Sequence, residues 1–531
     1  MKKVISVLLC IAILSGVIAV NTASVIASAD NLPIIYVVGY GCSIARHNED
    51  GSKTVLYPVD TSTDTILGYL TENKEIIINA ILTQDWSEFD DKIYEIFTSM
   101  YEPLMLDNNG NVSDGSYAEF NGDIGTVNYF YRNFRGVSQF EFHYDWRLDP
   151  YDNMAKLRSY VENVQQVTGS EDYAIVSRCM GCNLALTYMD VYKDPHLKKM
   201  VFYAGANYGA SPVGEAFSGN FVVDPDAVAR FMYCLDMDIE IPITDELTLT
   251  EESLREILVT LSDVYGLDFA CWAVNNVYSQ IYMDIIPRTM RKTLGSFPGY
   301  WSMVDDRYFD EAKKVVFGGM EDEYAGMIEK IDNYHNNIYL RQEKIIDEFI
   351  KNGGQVFDIV KYGNQCTPVS PRSDELSDKV CFVSDSSFGA TTSGYKTVLD
   401  DSYISALAAE GNDKYVSPDK RIDASTGLMP DTTWYINNLE HANFDTCVNA
   451  LIEKIVYEEN FTIFSDPDYP QYLFYDEETH SIVPEKAEHS TAIDAWYETT
   501  NSFWYKLKPF FKIFYDVFCF FVRIFTFTRY N

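Results

Sequence analysis

The stretch YAIVSRCMGCNLALTYM, residues 173–189, predicts the structural unit on which the fold is built. Its apolar first part predicts a short buried strand, its last part predicts a helix, and a tight turn joins them. The turn Ser177-Arg178-Cys179-Met180-Gly181 differs from the pattern G-x-S-x-G by a serine at the first position and a cysteine at the third. In that pattern the central side chain projects from a strand-to-helix turn and acts as a nucleophile. Cys179 is therefore a candidate nucleophile, and the alternative is a small buried hydrophobic residue.

Apolar and β-branched runs elsewhere, each ending at small or polar residues, predict five more strands. The six predicted strands are residues 32–41, 138–146, 172–179, 197–206, 354–363 and 432–441. Patterns with apolar residues three and four apart, such as residues 153–169, predict helices between several of them. This alternation predicts an α/β fold with a mostly parallel sheet flanked by helices, and ligands at the carboxyl ends of its strands.

Composition excludes one class of partner. The 531 residues carry a formal charge of −38, so the chain offers little to neutralise a phosphate backbone, and we expect no nucleic-acid partner. Residues 1–29 resemble a cleavable signal peptide, with Lys2 and Lys3 before an apolar core and Ala27-Ser28-Ala29 as the cleavage site. We therefore expect a secreted or cell-surface protein; a retained membrane anchor is the alternative.

The remaining chain divides into a core and its additions. Residues 30–210 and 351–460 predict the two parts of the α/β core. Residues 211–350, mostly helical in pattern, predict an insertion that caps the site, or a helical decoration without function. Residues 461–500 are acidic and loop-rich in pattern. Residues 501–531 predict an aromatic amphipathic helix that contacts a lipid surface or docks on the protein's own core.

An acyl-transfer site needs a base, an acid and oxyanion donors besides its nucleophile, in the chain order nucleophile, acid, base for this kind of turn. His441 is the candidate base because it directly follows the last strong strand. Asp419 is the candidate acid, with Asp423 as the alternative. The backbone N–H groups of Tyr40 and Met180 are the candidate oxyanion donors. The cysteine spacings give no metal pattern, since Cys179-x-x-Cys182 has no second pair.

Several segments resemble the lecithin:cholesterol acyltransferase family. They are IIYVVGYGCS (34–43), FHYDWRLDP (142–150), VSRCMGCNLALTYM (176–189), YAGANYGAS (203–211), SPDKRIDAS (417–425) and LEHAN (439–443). FHYDWRLDP is similar to that family's F-x-Y-D-W-R motif and is the most specific. The resemblance implies an α/β-hydrolase with a lid that acts on lipid esters without a metal or organic cofactor. It further implies that Asp145, Trp146 and Arg147 support the substrate pocket rather than perform chemistry.

The sequence departs from the family at the turn itself. Cys179 replaces the serine, Arg178 the preceding histidine, and Cys182 the following glycine. We expect a secreted acyl hydrolase or O-acyltransferase that forms a covalent acyl-enzyme on Cys179, with a lipid ester or another acyl ester as substrate. The alternatives are a non-catalytic protein of this fold that binds a lipid or ligand, and a hydrolase of thioesters or small esters.

Overall fold

The computed structural model describes residues 32–59, 73–83, 85–119, 130–132, 138–233, 240–244, 247–250, 271–272, 274–276, 285–443, 446–489, 491 and 493–494. The predicted signal peptide (residues 1–29) and the predicted C-terminal helix (residues 501–531) lie outside the described residues.

A nine-stranded sheet, in which the order of strands is β16-β15-β14-β11-β8-β7-β1-β6-β5, forms the centre of the molecule. The pairs from β15 to β6 are all parallel, and β16 and β5 are antiparallel edge strands. The described strands are β1 (Ile34–Val37), β2 (Ile44–His47), β3 (Lys53–Tyr57), β4 (Tyr117–Ala118), β5 (Phe130–Arg132), β6 (Ser138–Phe142), β7 (Tyr173–Arg178), β8 (Leu197–Tyr203), β9 (Glu240–Thr244), β10 (Leu247–Thr250), β11 (Gln355–Tyr362), β12 (Thr391–Thr392), β13 (Ile422–Asp423), β14 (Thr433–Asn437), β15 (Tyr472–Asp476) and β16 (Ser481–Pro484).

The six predicted strands are neighbours in this sheet, as β6, β1, β7, β8, β11 and β14. Alternate residues of each strand face two separate apolar cores, because successive side chains point to opposite faces. Ile35 and Ile175 lie in one core, and Ile34 and Val176 lie in the other. The predicted α/β fold with a mostly parallel sheet is confirmed.

Helices cover both faces of the sheet. The α-helices with both ends described are α1 (Lys74–Thr83), α2 (Ser87–Tyr101), α3 (Pro150–Thr168), α4 (Gly181–Tyr192), α5 (Val213–Ser218), α6 (Pro225–Tyr233), α7 (Pro298–Trp301), α8 (Asp306–Phe317), α9 (Ala325–Asn337), α10 (Gln342–Lys351), α11 (Val383–Ser386), α12 (Asp401–Glu410) and α13 (Cys447–Tyr457). The bounds of α3 follow from its sequence. Asp149 accepts a hydrogen bond from the N–H of Tyr151 (2.7 Å) at its start, and Gly169 takes a left-handed conformation (φ 72°) at its end.

The insertion between the adjacent strands β8 and β11 contains α5 to α10, so the predicted helical character is found in its described parts. It has an apolar cluster of its own, which includes Phe217, Trp301 and Phe309. The hairpin β9–β10 within it was not predicted.

The segment expected to be loop-rich, residues 461–500, contains the hairpin β15–β16, which extends the central sheet. The apolar run YLFY (472–475) is typical of a strand, but the acidic residues on both sides of it favour a loop, so β15 was not predicted. Within the described ranges, no helix combines the length and the apolar character needed to cross a bilayer.

Candidate active site

Cys179 lies at the turn between β7 and α4, at the carboxyl end of a central strand. Its φ angle of 51° is in the left-handed region, which is uncommon for a residue other than glycine. Its N–H group donates to the carbonyl oxygen of Tyr203 at 3.2 Å, and its carbonyl oxygen accepts from the N–H of Cys182 at 3.0 Å. The local conformation is that of a nucleophile turn with a cysteine at its tip.

Two glycines allow this turn to form. A Cβ atom on Gly181 would lie 2.4 Å from the carbonyl oxygen of Val38, and one on Gly39 would lie 2.8 Å from the Cβ of Cys179. The start of α4 and the loop after β1 therefore approach each other more closely than any larger residue permits.

The two departures from glycine at the turn face each other. Ser177 and Cys182 are both fully buried, and the hydroxyl of Ser177 lies 3.3 Å from the sulfur of Cys182. The same hydroxyl lies 3.3 Å from the carbonyl oxygen of Val201. Burial raises the pKa of the Cys182 thiol, which makes it a packing residue rather than a second nucleophile.

His441 is held by Asp378, an acid that the sequence analysis did not select. Nδ1 of His441 lies 2.8 Å from Oδ2 of Asp378, and the N–H group of His441 donates to the carbonyl oxygen of Asp378 at 2.7 Å. The other carboxylate oxygen, Oδ1, accepts from the N–H groups of Val380 (3.0 Å) and Cys381 (2.7 Å). These bonds fix both the position of the carboxylate and the tautomer of the imidazole.

Asp419 and Asp423 are not the partners of His441, so both candidates for the acid are corrected to Asp378. Asp419 accepts hydrogen bonds from the hydroxyl of Ser417 and the N–H of Arg421 within its own turn. Asp423 is fully buried and accepts from the hydroxyl of Tyr403 (2.8 Å) and from the N–H of Ser425 (2.9 Å). Each carboxylate accepts a backbone N–H two residues further along the chain, which is a common use of aspartate in loops.

The electrostatics favour a charged pair at the turn. Burial would raise the pKa of the Cys179 thiol, but His441 and the N–H groups of Met180 and Tyr40 outweigh it and hold that pKa below its usual value. Burial would lower the pKa of His441, but Asp378 and Cys179 outweigh it and hold that pKa well above its usual value. The arrangement therefore stabilises a thiolate beside an imidazolium. Nε2 of His441 makes no hydrogen bond of normal geometry within the described residues, and it is the nitrogen available for proton exchange.

The N–H groups of Tyr40 and Met180, the two predicted oxyanion donors, both face the sulfur of Cys179. The ring of Tyr40 packs edge-on against Trp146 (4.7 Å between ring centroids) and Tyr300 (5.5 Å). The loop that carries one of the two donors is therefore braced by aromatic contacts.

The segment Asp145-Trp146-Arg147 packs against this loop after β1. Nε1 of Trp146 donates to the carbonyl oxygen of Cys42 at 2.8 Å. Arg147 is fully buried and pairs with Asp145 at 2.7 Å, and its guanidinium also donates to the carbonyl oxygen of Leu104. None of the three residues is among those that line the cavity next to Cys179.

A cavity of about 600 Å³ adjoins Cys179 and His441. The described residues that line it are Val38, Gly39, Tyr40, Arg178, Cys179, Ala210, Ser211, Pro212, Val213, Ala216, Phe217, Leu294, Tyr300, Met303, Thr367, Val380, His441 and Ala442. Apart from the catalytic candidates, Arg178 is the one charged side chain among these lining residues, and its guanidinium lies over the ring of Tyr36 at 4.9 Å. Much of the wall comes from the inserted residues 211–217 and 294–303, so the insertion shapes a mainly apolar pocket.

Lys361, on β11, is a buried residue of the site that sequence reasoning missed. Its ammonium donates to the carbonyl oxygens of Glu440 (3.3 Å), His441 (3.1 Å) and Asn443 (2.7 Å). Burial lowers its pKa to about 7. The lysine thereby fixes the backbone of the loop that carries His441.

One cluster has the donor atoms of a metal site. The donor atoms of Asp378, Cys381 and His441 all lie within 4.8 Å of one another, and the three residues are buried. All seven described cysteines, Cys381 included, are free thiols.

Comparisons with known proteins identify no family for this chain. No family model matches the chain, and no curated protein matches it. Among solved structures, the Tle4–Tli4 complex is 12% identical over 62% of this chain and 74% of that chain, with a TM-score of 0.24. Kex1, a prohormone-processing carboxypeptidase from Saccharomyces cerevisiae, is 12% identical over 62% of this chain and 65% of that chain, with a TM-score of 0.19. Similarity this low supports no inference about function.

Proposed function

We propose that this chain is a secreted cysteine acyl hydrolase or O-acyltransferase with an α/β-hydrolase fold, which acts on lipid esters through a thioester on Cys179. The observation that carries the proposal is the arrangement of Cys179 next to His441, which Asp378 holds at Nδ1, beside an apolar cavity. The chain order Cys179, Asp378, His441 is also the nucleophile, acid, base order of that fold.

The proposed reaction begins with the thiolate of Cys179, which attacks the ester carbonyl carbon. The resulting oxyanion accepts hydrogen bonds from the N–H groups of Tyr40 and Met180. Nε2 of the His441 imidazolium gives its proton to the departing alkoxide, and a thioester remains on the enzyme. His441 then takes a proton from water or an alcohol, which attacks the thioester and releases the acid or a new ester. Asp378 keeps the proton on Nδ1 throughout.

The substrate class is supported by the cavity. Its wall is mostly apolar, and its volume of about 600 Å³ is within the usual range for small-molecule sites. An apolar acyl chain is the group that such a wall accommodates at little desolvation cost. The similarity of FHYDWRLDP (142–150) to the lecithin:cholesterol acyltransferase family adds support for a lipid ester.

Hydrolysis of p-nitrophenyl esters of increasing chain length by the mature wild type and Cys179→Ala tests the proposal. We expect the variant to lose about 10³-fold or more of kcat/KM, because the acyl-enzyme can no longer form. Cys182→Ala is the matched control, since it removes a buried thiol three residues away that is not the nucleophile. We expect this control to remain active and to be alkylated by iodoacetamide at Cys179.

Two results would contradict the proposal. Equal activity of the wild type and Cys179→Ala would exclude the cysteine as nucleophile. Absence of activity in both, together with slow alkylation of Cys179, would favour a non-catalytic protein that binds a lipid in the same cavity.

We also propose that residues 501–531 bring the enzyme to a lipid surface. Their pattern is an aromatic helix with Lys508, Lys512 and Arg523 on a narrow polar stripe. A chain that ends at residue 500 should lose sedimentation with liposomes while it keeps hydrolysis of soluble short-chain esters. Unchanged liposome binding would remove this part of the proposal.

A further inference from the structure

A second cysteine, Cys381, lies beside the candidate acid and base without a part in the proposed reaction. It is 1% exposed, and its N–H group donates to Oδ1 of Asp378 at 2.7 Å. Its sulfur interacts with the imidazole of His441, which Cys179 also approaches. Two thiols therefore flank one imidazole, and only one of them faces the cavity.

The donor atoms around His441 match the requirements of zinc. The sulfur of Cys381, one nitrogen of His441 and one oxygen of Asp378 lie within 4.8 Å of one another. Zn²⁺ binds this combination of ligands at about 2.0–2.3 Å, so its ligand atoms in a tetrahedral site are roughly 3–4 Å apart. Nδ1 of His441 and Oδ2 of Asp378 are already 2.8 Å apart, so only a small movement is needed.

We propose that Asp378, Cys381 and His441 form a Zn²⁺ site whose occupation switches off the chemistry at Cys179. The ion would replace the proton that Nδ1 of His441 shares with Asp378. It would also bind the sulfur of Cys381, and the protons displaced from Nδ1 and from this thiol leave to solvent. The thiolate and the carboxylate together balance the two charges of the metal.

Inhibition would follow because the ion occupies His441, the proposed base. This part of the inference rests on the proposed function. An imidazole bound through Nδ1 loses its contact with Asp378 and keeps its one remaining proton on Nε2, so it can no longer pass a proton between Cys179 and the leaving group. Three protein ligands leave a fourth position for water, and the ion would enter from the cavity that His441 lines.

Cys381 is the residue that distinguishes this site from any histidine–aspartate pair. The three ligands are 3 and 60 residues apart in sequence, a spacing that matches none of the short cysteine and histidine motifs. The spacing of these residues therefore does not indicate a metal site.

The test measures the affinity for zinc first and the activity second. The chelator-treated protein, kept reduced, is titrated with Zn²⁺ against a chromophoric chelator, for the wild type, Cys381→Ser and Cys381→Ala. We expect both variants to bind Zn²⁺ at least tenfold to a hundredfold more weakly, because one of three ligands is lost. Cys366→Ser is the matched control, since Cys366 is an equally buried free thiol outside the cluster, and its affinity should equal that of the wild type.

Cobalt identifies the sulfur that binds. A thiolate-to-metal charge-transfer band should appear when Co²⁺ is added to the wild type or to Cys179→Ala, and it should be absent in Cys381→Ser. A band that is lost in Cys179→Ala and retained in Cys381→Ser would overturn the proposal, because the nucleophile would then be the ligand. So would equal zinc affinity of Cys381→Ser and the wild type.

Measurements of ester hydrolysis distinguish a failure of the zinc site from a failure of the proposed function. The rate of ester hydrolysis is compared with the metal-free rate of the same protein. In the wild type it should fall when Zn²⁺ is added and recover when a chelator is added. In Cys381→Ser a much higher Zn²⁺ concentration should be needed for the same fall. If the wild type hydrolyses no ester but still binds Zn²⁺ through Cys381, the proposed function fails and the metal site stands. If esters are hydrolysed and Zn²⁺ is not bound, the metal site fails alone.

Discussion

Replacement of Asp378 by asparagine should disable the site while leaving its shape intact. The bond between Oδ2 and Nδ1 of His441 is 2.8 Å long, and the two side chains are 1% and 10% exposed. Replacement of the orienting acid of a Ser-His-Asp triad by asparagine lowers kcat by about 10⁴-fold, because the base takes the wrong tautomer, and a thiolate nucleophile needs less help from the base. We therefore expect kcat/KM to fall by about 10²- to 10⁴-fold, or about 3–5 kcal/mol at about 1.4 kcal/mol per factor of ten.

The same change should shift the titration of the nucleophile. The carboxylate of Asp378 is the main group that raises the pKa of His441 against the effect of burial. Without it, the imidazole loses its proton at lower pH and no longer stabilises the thiolate of Cys179. The pKa of Cys179, held below its usual value in the wild type, should therefore rise, and the pH profile of iodoacetamide alkylation should move to higher pH.

The assay is hydrolysis of p-nitrophenyl butyrate, with the melting temperature measured on the same samples to exclude unfolding. Asp419→Asn and Asp423→Asn are the matched controls, because both residues lie between β11 and His441 and neither contacts the histidine. We expect Asp419→Asn to keep its alkylation profile and its activity within about threefold. Folded Asp378→Asn with unchanged activity, or a loss of 10²-fold or more confined to Asp419→Asn, would refute the reasoning.

Three further predictions concern the turn, a buried acid and the cavity. Gly181→Ala should lower the free energy of unfolding in urea by about 1–3 kcal/mol or more, because its Cβ would lie 2.4 Å from the oxygen of Val38; an unchanged midpoint would contradict the close approach. Burial raises the pKa of Glu485 from 4.5 to about 8, so its contribution to stability is full below about pH 4.5 and is lost as the pH rises through 8. At pH 8.5, Glu485→Gln should therefore have a higher urea midpoint than the wild type, and its free energy of unfolding should be larger by up to about 4 kcal/mol. At pH 4.5 we expect no such gain. Ala216→Phe should narrow the cavity and lower kcat/KM for long-chain esters by about tenfold or more while sparing the acetate ester; an equal loss for all chain lengths would show that Ala216 does not face the acyl chain.

Local patterns predicted the parts of the site that depend on local structure. The turn at Cys179 and the strand before His441 are each visible within about ten residues, because they follow from periodicity and small residues. The six central strands were predicted for the same reason. The hairpins β9–β10 and β15–β16 were not predicted, since their short strands lie in an insertion or among acidic residues, where the strand pattern is less distinct.

The acid was missed because its position depends on a long-range contact. Asp378 is 63 residues before His441, in the segment SDKVC that has no strand pattern of its own. Asp419 and Asp423 are closer to the histidine in sequence, but their side chains complete their own turns. The available signal was the position of Asp378 after β11, since the segment that follows this central strand reaches the same edge of the sheet as Cys179.

The energetics of the buried pair argue against a site that serves packing alone. Burial of an imidazolium and a carboxylate is costly, and apolar residues of similar volume would stabilise such a position as well or better. Here the pair lies beside an apolar cavity. Lys361 is buried next to it and donates to three carbonyl oxygens of the loop that carries His441, and burial lowers the pKa of this lysine to about 7. A protein that only binds an apolar ligand has no use for this charge, whereas a nucleophilic thiolate requires it. This cost in stability supports the proposed chemistry at Cys179.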